Sequence, residues 1–168
     1  MEKPTQGNSI EDLVKIVSML RDPKGGCPWD LAQTHKSLIP YVIEEAYEVT
    51  DAIRNENVEE LKGELGDLLL QVILHAQIAS EENNFNLNDI IEAIKDKLIR
   101  RHPHVFKGQK VQSIKEVKEV WDSIKAQEDF NNDLPNPISS KLQKIIRSLS
   151  PINGAVKISK KVSKEGFE

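Results

Sequence analysis

The sequence of 168 residues contains a single cysteine, and aromatic residues make up only 5% of it. One cysteine, Cys27, excludes an internal disulfide and a cysteine-based zinc site, and it favours a reducing compartment. No apolar run reaches the roughly 18 residues that a membrane span needs. The first residues also lack the basic and then apolar pattern of a signal peptide. We therefore expect a soluble cytoplasmic protein with no membrane segment.

Charge is plentiful but unevenly distributed along the chain. The net charge of −4 argues against a general nucleic-acid-binding protein. Seven lysine and arginine residues against two glutamates give residues 141–168 a charge of +5, which leaves −9 for residues 1–140. The stretch FNNDLPNPISS, rich in proline and asparagine, reads as a linker. We predict an acidic module over residues 1–130, followed by a linker and a basic C-terminal helical segment over residues 131–168.

Apolar residues recur at helical spacing nearly throughout, and no segment alternates as a strand does. The predicted fold class is all-α, with four to five core helices. The expected start signals, in chain order, are Ser9, Pro40, Asn57, Asn88 and Ser113. The glycine- and proline-rich residues 22–35 are expected to form a loop. The third predicted helix is so apolar that we expect it to be buried around most of its circumference.

Acidic residues recur at helical spacing on the second and third of these helices. They are Glu44, Glu45 and Glu48, then Glu64 and Asp67, with Gln71 continuing the second stripe. One interpretation is a solvated face. The other is that the carboxylates converge, in which case repulsion and lost hydration would be relieved by a divalent cation. Carboxylate oxygens without sulfur or clustered imidazole favour Mg²⁺, with Mn²⁺ as a substitute.

Positive charges continue the apolar stripe of the fourth predicted helix. Lys97, Arg100 and Arg101 either complement the helix dipole or bind polyphosphate oxygens. On the fifth helix, Trp121 is either a core residue or, with Lys125 one turn later, part of a ligand site. No P-loop motif is present. Carboxylates that could bind a metal, together with cations that could bind phosphate, indicate a phosphoryl-transfer site that does not use a P-loop.

The acidic residues also match a known signature. Glu44-Glu45-Ala-Tyr-Glu48, followed by Glu64-Leu-Gly-Asp67, resembles the EExxE…ExxD motif of the MazG family of all-α nucleoside triphosphate pyrophosphohydrolases. The blocks CPWDLAQTHKSLIPYVIEEAYEV, ELGDLLLQVILHAQIA, KLIRRHPHVF and EVWDSIKAQE resemble family blocks in the family's order. The resemblance covers about residues 9–130. The segment KISKKVSKEGFE resembles the one that leads into the second half of longer, two-module members.

This resemblance implies Mg²⁺-dependent hydrolysis of nucleoside triphosphates to the monophosphate and pyrophosphate, in house-cleaning or nucleotide-pool control. It also implies a MazG-like bundle completed by dimerisation, as a homodimer or a higher homo-oligomer. The implied metal ligands are Glu45, Glu48, Glu64 and Asp67. Glu44 would be a further carboxylate near the water or a second ion. The implied nucleotide contacts are Lys97, Arg100, Arg101, Trp121 and Lys125, with Trp29, Gln33 and His35 as weaker candidates.

Two alternatives stay open at this point. The chain departs from some family modules in having Tyr41 where they have a lysine, and the halves of two-module members need not be equally active. The first alternative is therefore that the chain is a catalytically weak dimerisation or regulatory module of a longer protein. The second alternative is a purely structural bundle whose acidic residues are solvated.

Overall fold

The computed structural model describes residues 7–131, 142–143, 145–147 and 151–164. Every regular element within these residues is an α-helix, which confirms the predicted all-α class. The helices with defined bounds are α1 (Ile10–Leu20), α2 (Pro28–Ala32), α3 (Ile39–Arg54), α4 (Val58–Glu81), α5 (Leu87–Arg101), α6 (Pro103–Phe106), α7 (Ile114–Asn131) and α8 (Pro151–Lys164). The chain forms two compact units, Met1–Lys95 and Asp96–Glu168.

The predicted linker and the predicted basic segment lie at the C-terminal end of the chain. Most of the predicted linker, residues 132–140, lies outside the described residues, and the module boundary at residue 130 stays a prediction. Within the basic segment, α8 is helical. None of the helices in the described part of the chain is long and apolar enough to cross a membrane.

Helix starts follow local hydrogen bonding, as the sequence predicts. Ser9, Asn57 and Ser113 each accept a backbone N–H three residues later. At α1 the cap is reciprocal, because the Asp12 carboxylate accepts the Ser9 N–H at 3.2 Å. Pro40 lies in the first turn of α3, where its missing N–H costs nothing.

The predicted start of the fourth long helix is wrong by two residues. Asn86, not Asn88, supplies the cap: its side-chain oxygen accepts the Asn88 N–H at 2.8 Å, and Asp89 accepts the Asn86 N–H at 2.8 Å. Two asparagines two residues apart offer the same chemistry. The hydrogen-bond partner at Asp89 selects the earlier one.

The predicted loop contains the short helix α2, which the sequence pattern did not indicate. Pro28 occupies its first turn. Gly26 precedes it where the backbone turns back on α1: a Cβ on Gly26 would lie 2.3 Å from the carbonyl oxygen of Leu20. Glycine is therefore required for the chain to pass this close to the end of α1.

The core of the first unit forms where α1 and α3 pack against α4. Its buried members are Val17, Leu38, Ile73, Leu74 and Ile78. These α4 residues belong to the C-terminal half of the helix, and the buried positions of α4 begin only at residue 71. Burial of this core is the main stabilising contribution in the unit.

The expectation that α4 is buried around most of its circumference is wrong for its N-terminal half. There, Leu65 is 50% exposed and Leu69 is 40% exposed. The buried α1 residue Val17 packs with Ile73 and Leu74, so α1 covers the later turns of α4. The apolar side chains in the first half of α4 consequently remain partly exposed within the single chain.

Candidate metal centre

Three acidic side chains converge where α3 and α4 run side by side. Glu45 and Glu48 are three residues apart on α3 and share a face of that helix. Together with Glu64 of α4, each offers one carboxylate oxygen, and these oxygens all lie within 4.8 Å of one another. Glu45 and Glu64 are half-buried and Glu48 is exposed, so the cluster opens to solvent.

The carboxylates of the cluster destabilise one another's charged form. Partial burial, and then the charges of Asp67, Glu48 and Glu64, raise the pKa of Glu45. Partial burial also raises the pKa of Glu64, with Glu48 and Asp67 as the next causes. Asp67 therefore belongs to the same electrostatic cluster, although it is not one of the three residues with converging oxygens. Bringing a cation to this group would remove the repulsion.

The lysine of α4 closest in sequence to Glu64 is engaged elsewhere. Lys62 is paired with Glu59 on the outer surface of α4. Glu44, the remaining acidic candidate, is exposed and is not among the three residues whose oxygens converge.

The donor set fits a hard divalent cation. All the converging atoms are carboxylate oxygens, the ligand type that Mg²⁺ and Mn²⁺ prefer. Oxygens that bind a single Mg²⁺ lie at most about 4 Å apart. A modest side-chain rotation would therefore bring the three groups into range, and Glu48, being exposed, can move without disturbing the core.

The second unit holds the predicted cations and reveals a partner for two of them. The Arg101 guanidinium lies 5.4 Å from the ring centroid of Trp121, in a cation–π contact. Glu128 accepts from Arg100 Nε at 2.6 Å and from Arg101 Nη2 at 2.5 Å. These bonds, the one from Arg101 foremost, lower the pKa of Glu128 to about 2. Lys97 and Lys125 are exposed.

Sequence reasoning did not single out Glu128. A signal was available, because Glu128 lies seven residues after Trp121, two helical turns along the same face of α7. Spacing alone could not show that both arginines reach it. His102 completes the group, with its ring edge-on to Trp121 at 4.9 Å between centroids.

The weaker candidates of the loop before α3 are held by local contacts. Trp29 is 47% exposed and forms an edge-to-face contact with Tyr41, with ring centroids 5.6 Å apart. Gln33 donates to the carbonyl of Trp29 at 2.9 Å and accepts from the Ser37 hydroxyl at 2.7 Å. Its amide is therefore engaged within the loop. His35 contacts His75 of α4.

A buried arginine fixes this loop to the rest of the first unit. Arg21 is 8% exposed and forms a two-pronged ion pair with Glu81, at 2.9 and 2.7 Å. The same guanidinium donates to the backbone carbonyls of Asp30 and Gln33. Arg21 thus joins the end of α1, the loop and the end of α4, which explains why its charge is tolerated in the interior.

Residues 33–106 match the family model described as the MazG nucleotide pyrophosphohydrolase domain. The chain therefore contains a MazG-like domain over these residues. It is 47% identical over 161 residues to a nucleoside triphosphate pyrophosphohydrolase of Escherichia coli (strain K12). It is 44% identical over 162 residues to a nucleoside triphosphate pyrophosphohydrolase/pyrophosphatase MazG of Thermotoga maritima. Each match covers 96% of this chain and 60% of the relative.

The fold matches a MazG-related structure as well. The crystal structure of a mazG-related protein from Thermotoga maritima superposes with a TM-score of 0.59 and 27% identity, covering 70% of this chain and 99% of that one. The MazG domain match contains all of the acidic candidates and the cations of α5, whereas Trp121, Lys125 and Glu128 lie beyond it. The chain spans about 60% of the length of the two pyrophosphohydrolases it matches.

Proposed function

We propose that this chain hydrolyses nucleoside triphosphates to the nucleoside monophosphate and pyrophosphate, with Mg²⁺ held by the acidic cluster. The observation that carries the proposal is the convergence of Glu45, Glu48 and Glu64 on α3 and α4, within the matched MazG domain. Asp67 is proposed as the fourth ligand, because its charge acts on both Glu45 and Glu64. The names of the relatives support the activity.

A bound Mg²⁺ would neutralise phosphate oxygens and activate water for attack on the α-phosphorus. The anhydride bond between the α- and β-phosphates would break, and pyrophosphate would leave. The acidic residues of α3 and α4 would hold the metal, and Glu44 is proposed to accept the proton of the attacking water. Lys97, Arg100 and Arg101 are proposed to bind phosphate oxygens, where charge develops during the reaction. Trp121 and Lys125 are proposed to contact the nucleotide.

A product assay tests this proposal. The purified chain is incubated with each of the eight common ribo- and deoxyribonucleoside triphosphates, in Mg²⁺, in Mn²⁺ and in EDTA. We expect pyrophosphate and monophosphate with either metal and no turnover in EDTA. Release of orthophosphate and nucleoside diphosphate would contradict the reaction proposed.

Variants separate the site from the fold. Glu45→Gln and Asp67→Asn each remove one negative charge with little change of shape, and we expect turnover to fall at least about 100-fold. Glu59→Gln is the matched control on α4, because Glu59 is exposed and pairs only with Lys62 among the described residues. Its turnover should stay at the wild-type level.

A second candidate function is a dimerisation module of a longer protein with weak activity of its own. It is favoured by an apolar stripe on α3: Ile39, Ile43 and Tyr47 are 54%, 51% and 58% exposed and recur every four residues. We propose that a second copy of the chain covers this stripe, in a homodimer or higher assembly. A stable dimer without metal binding or turnover would favour this alternative.

We also propose that the protein is located in a reducing cytoplasm, because its sequence contains a single cysteine, Cys27.

A further inference from the structure

Two neighbouring arginines of α5 share one carboxylate. Consecutive residues of a helix point about 100° apart around its axis, so Arg100 and Arg101 would ordinarily diverge, and their charges repel. Glu128 nevertheless accepts from Arg100 Nε at 2.6 Å through one oxygen, and from Arg101 Nε at 3.2 Å through the other. The carboxylate therefore draws the two guanidinium groups together.

The shared carboxylate engages only part of the hydrogen-bonding capacity of the pair. A guanidinium has five N–H donors. Glu128 takes the Nε donor of Arg100, and the Nε donor and one Nη donor of Arg101. Two positive charges against one negative charge leave the group at +1. The surplus positive charge favours an oxyanion as a further partner of the two arginines.

The position of Arg101 is also fixed by its surroundings. Its side chain is 17% exposed and that of Glu128 is 19% exposed, so their contact is largely shielded from water. The Trp121 ring lies against the Arg101 guanidinium, and the His102 ring lies against Trp121. A guanidinium that is already held by a carboxylate and an aromatic ring loses less conformational freedom when it binds an oxyanion, which lowers the entropic cost of binding.

We infer that Glu128 is a positioning residue that gathers Arg100 and Arg101 into one phosphate-binding pair for the nucleotide triphosphate. The inference rests on the proposed function, in which these arginines bind phosphate. It adds a residue outside the matched MazG domain and explains why an acidic side chain stands beside an anion site. Glu128 itself touches no substrate in this scheme; it acts through the arginines.

The opposite role for Glu128 makes the opposite prediction. If Glu128 merely occupied the anion site, removing its charge would free both arginines and strengthen phosphate binding. Electrostatics alone also predicts stronger phosphate binding, because a negative charge that repels the ligand disappears. If Glu128 positions the pair, the arginines diverge without it and phosphate binding weakens. The sign of the change therefore decides between the two roles.

The experiment measures tripolyphosphate binding to the full chain by calorimetry in EDTA, so that metal held by the acidic cluster contributes nothing. We expect Glu128→Gln to raise the Kd at least about tenfold, in spite of its lost negative charge. Glu119→Gln is the matched control, because Glu119 is an exposed acidic residue of α7 that pairs with Lys115. It loses the same charge, and we expect its Kd to change less than about twofold.

Two further variants make the result decisive. Glu128→Asp keeps the carboxylate and should recover part of the affinity. The thermal midpoint of Glu128→Gln, measured beside that of the wild type, shows that a weaker affinity is not caused by loss of folding. A Kd for Glu128→Gln equal to or lower than that of the wild type overturns the inference. Arg101→Gln tests the underlying function: an unchanged Kd in this variant would mean that Arg101 does not bind phosphate. That result would count against the proposed role of the cations, whatever Glu128 does.

Discussion

His35 and His75 face each other through their Nδ1 atoms, which lie 2.8 Å apart, with the two rings within 8° of parallel. The ring centroids are 5.1 Å apart, which is about the distance expected when both nitrogens lie on the line that joins the centroids. The two rings are therefore nearly coplanar and meet at their edges. One Nδ1 must then donate a proton and the other must accept it. Two protonated rings would direct two N–H groups at each other. The contact therefore holds only while at least one ring is neutral.

This contact predicts a loss of stability in mild acid. Burial, and then the neighbouring His35, lower the pKa of His75 below its ordinary value of 6.5. As the pH falls through that ordinary value, the unfolded chain takes up the proton first, so the free energy of unfolding decreases towards the lowered pKa. We expect the His75 contribution to lower the thermal midpoint of the wild type between pH 7.5 and pH 5. The raised pKa values of Glu45 and Glu64 act in the opposite sense, so the contribution is measured as a difference from a variant without His75.

His75→Gln provides the comparison, because glutamine keeps a polar group and does not titrate. Its thermal midpoint should depend less on pH over the same interval. Parallel pH curves for the two proteins would show that the pair does not contribute. Glu81 and Glu128, whose pKa values are lowered by their arginine partners, lose their contributions only in stronger acid, below the range used.

The acidic cluster predicts that the same carboxylates lower the stability of the metal-free chain and are needed for Mg²⁺ to stabilise it. Glu64→Gln removes one member of a group whose pKa values are raised by burial and mutual repulsion. In EDTA we expect a higher thermal midpoint than that of the wild type. Mg²⁺ at 100 times its Kd should stabilise the wild type by about 2.7 kcal/mol and the variant by much less. Thermal scans with and without Mg²⁺ measure both effects, and an equal Mg²⁺ response would contradict a metal site at Glu64.

A buried amide on α4 predicts a stabilising substitution. Gln71 is 6% exposed, and its Oε1 has no hydrogen-bond partner among the described residues. A buried acceptor without a partner costs about 1–3 kcal/mol, so Gln71→Met, of similar volume, should raise the free energy of unfolding. Urea denaturation measures the change. Gln77→Met is the control, since the Gln77 amide donates to Glu81 at 3.0 Å; it should not stabilise. Destabilisation by Gln71→Met would contradict the prediction.

The apolar stripe of α3 predicts self-association. Ile43 lies at its centre and is 51% exposed in the single chain. Ile43→Arg places a charge where a second copy would bury the stripe, and we expect sedimentation velocity to show a shift from dimer towards monomer. Ile114→Arg is the control, because Ile114 is 85% exposed at the first residue of α7. A wild type that sediments as a monomer would refute the proposed assembly.

Much of the local structure could be read along the chain, for a physical reason. The caps at Ser9, Asn57 and Ser113 are hydrogen bonds that span three residues, so the sequence contains both partners side by side. The grouping of Glu45 and Glu48 follows equally from the helical repeat. The cap of α5 escaped prediction because two asparagines competed for it. The short helix α2 escaped because glycine and proline dominate the residues around it.

Contacts between distant parts of the chain follow no such spacing. Glu128 meets Arg100 across 28 residues, His75 meets His35 across 40, and Arg21 meets Glu81 across 60. Helical periodicity repeats every few residues, and it does not determine which turn of one helix packs against which turn of another. It therefore predicted the helices and the acidic faces of α3 and α4. The partners of the arginines and histidines, and the open first half of α4, depended on how those helices pack.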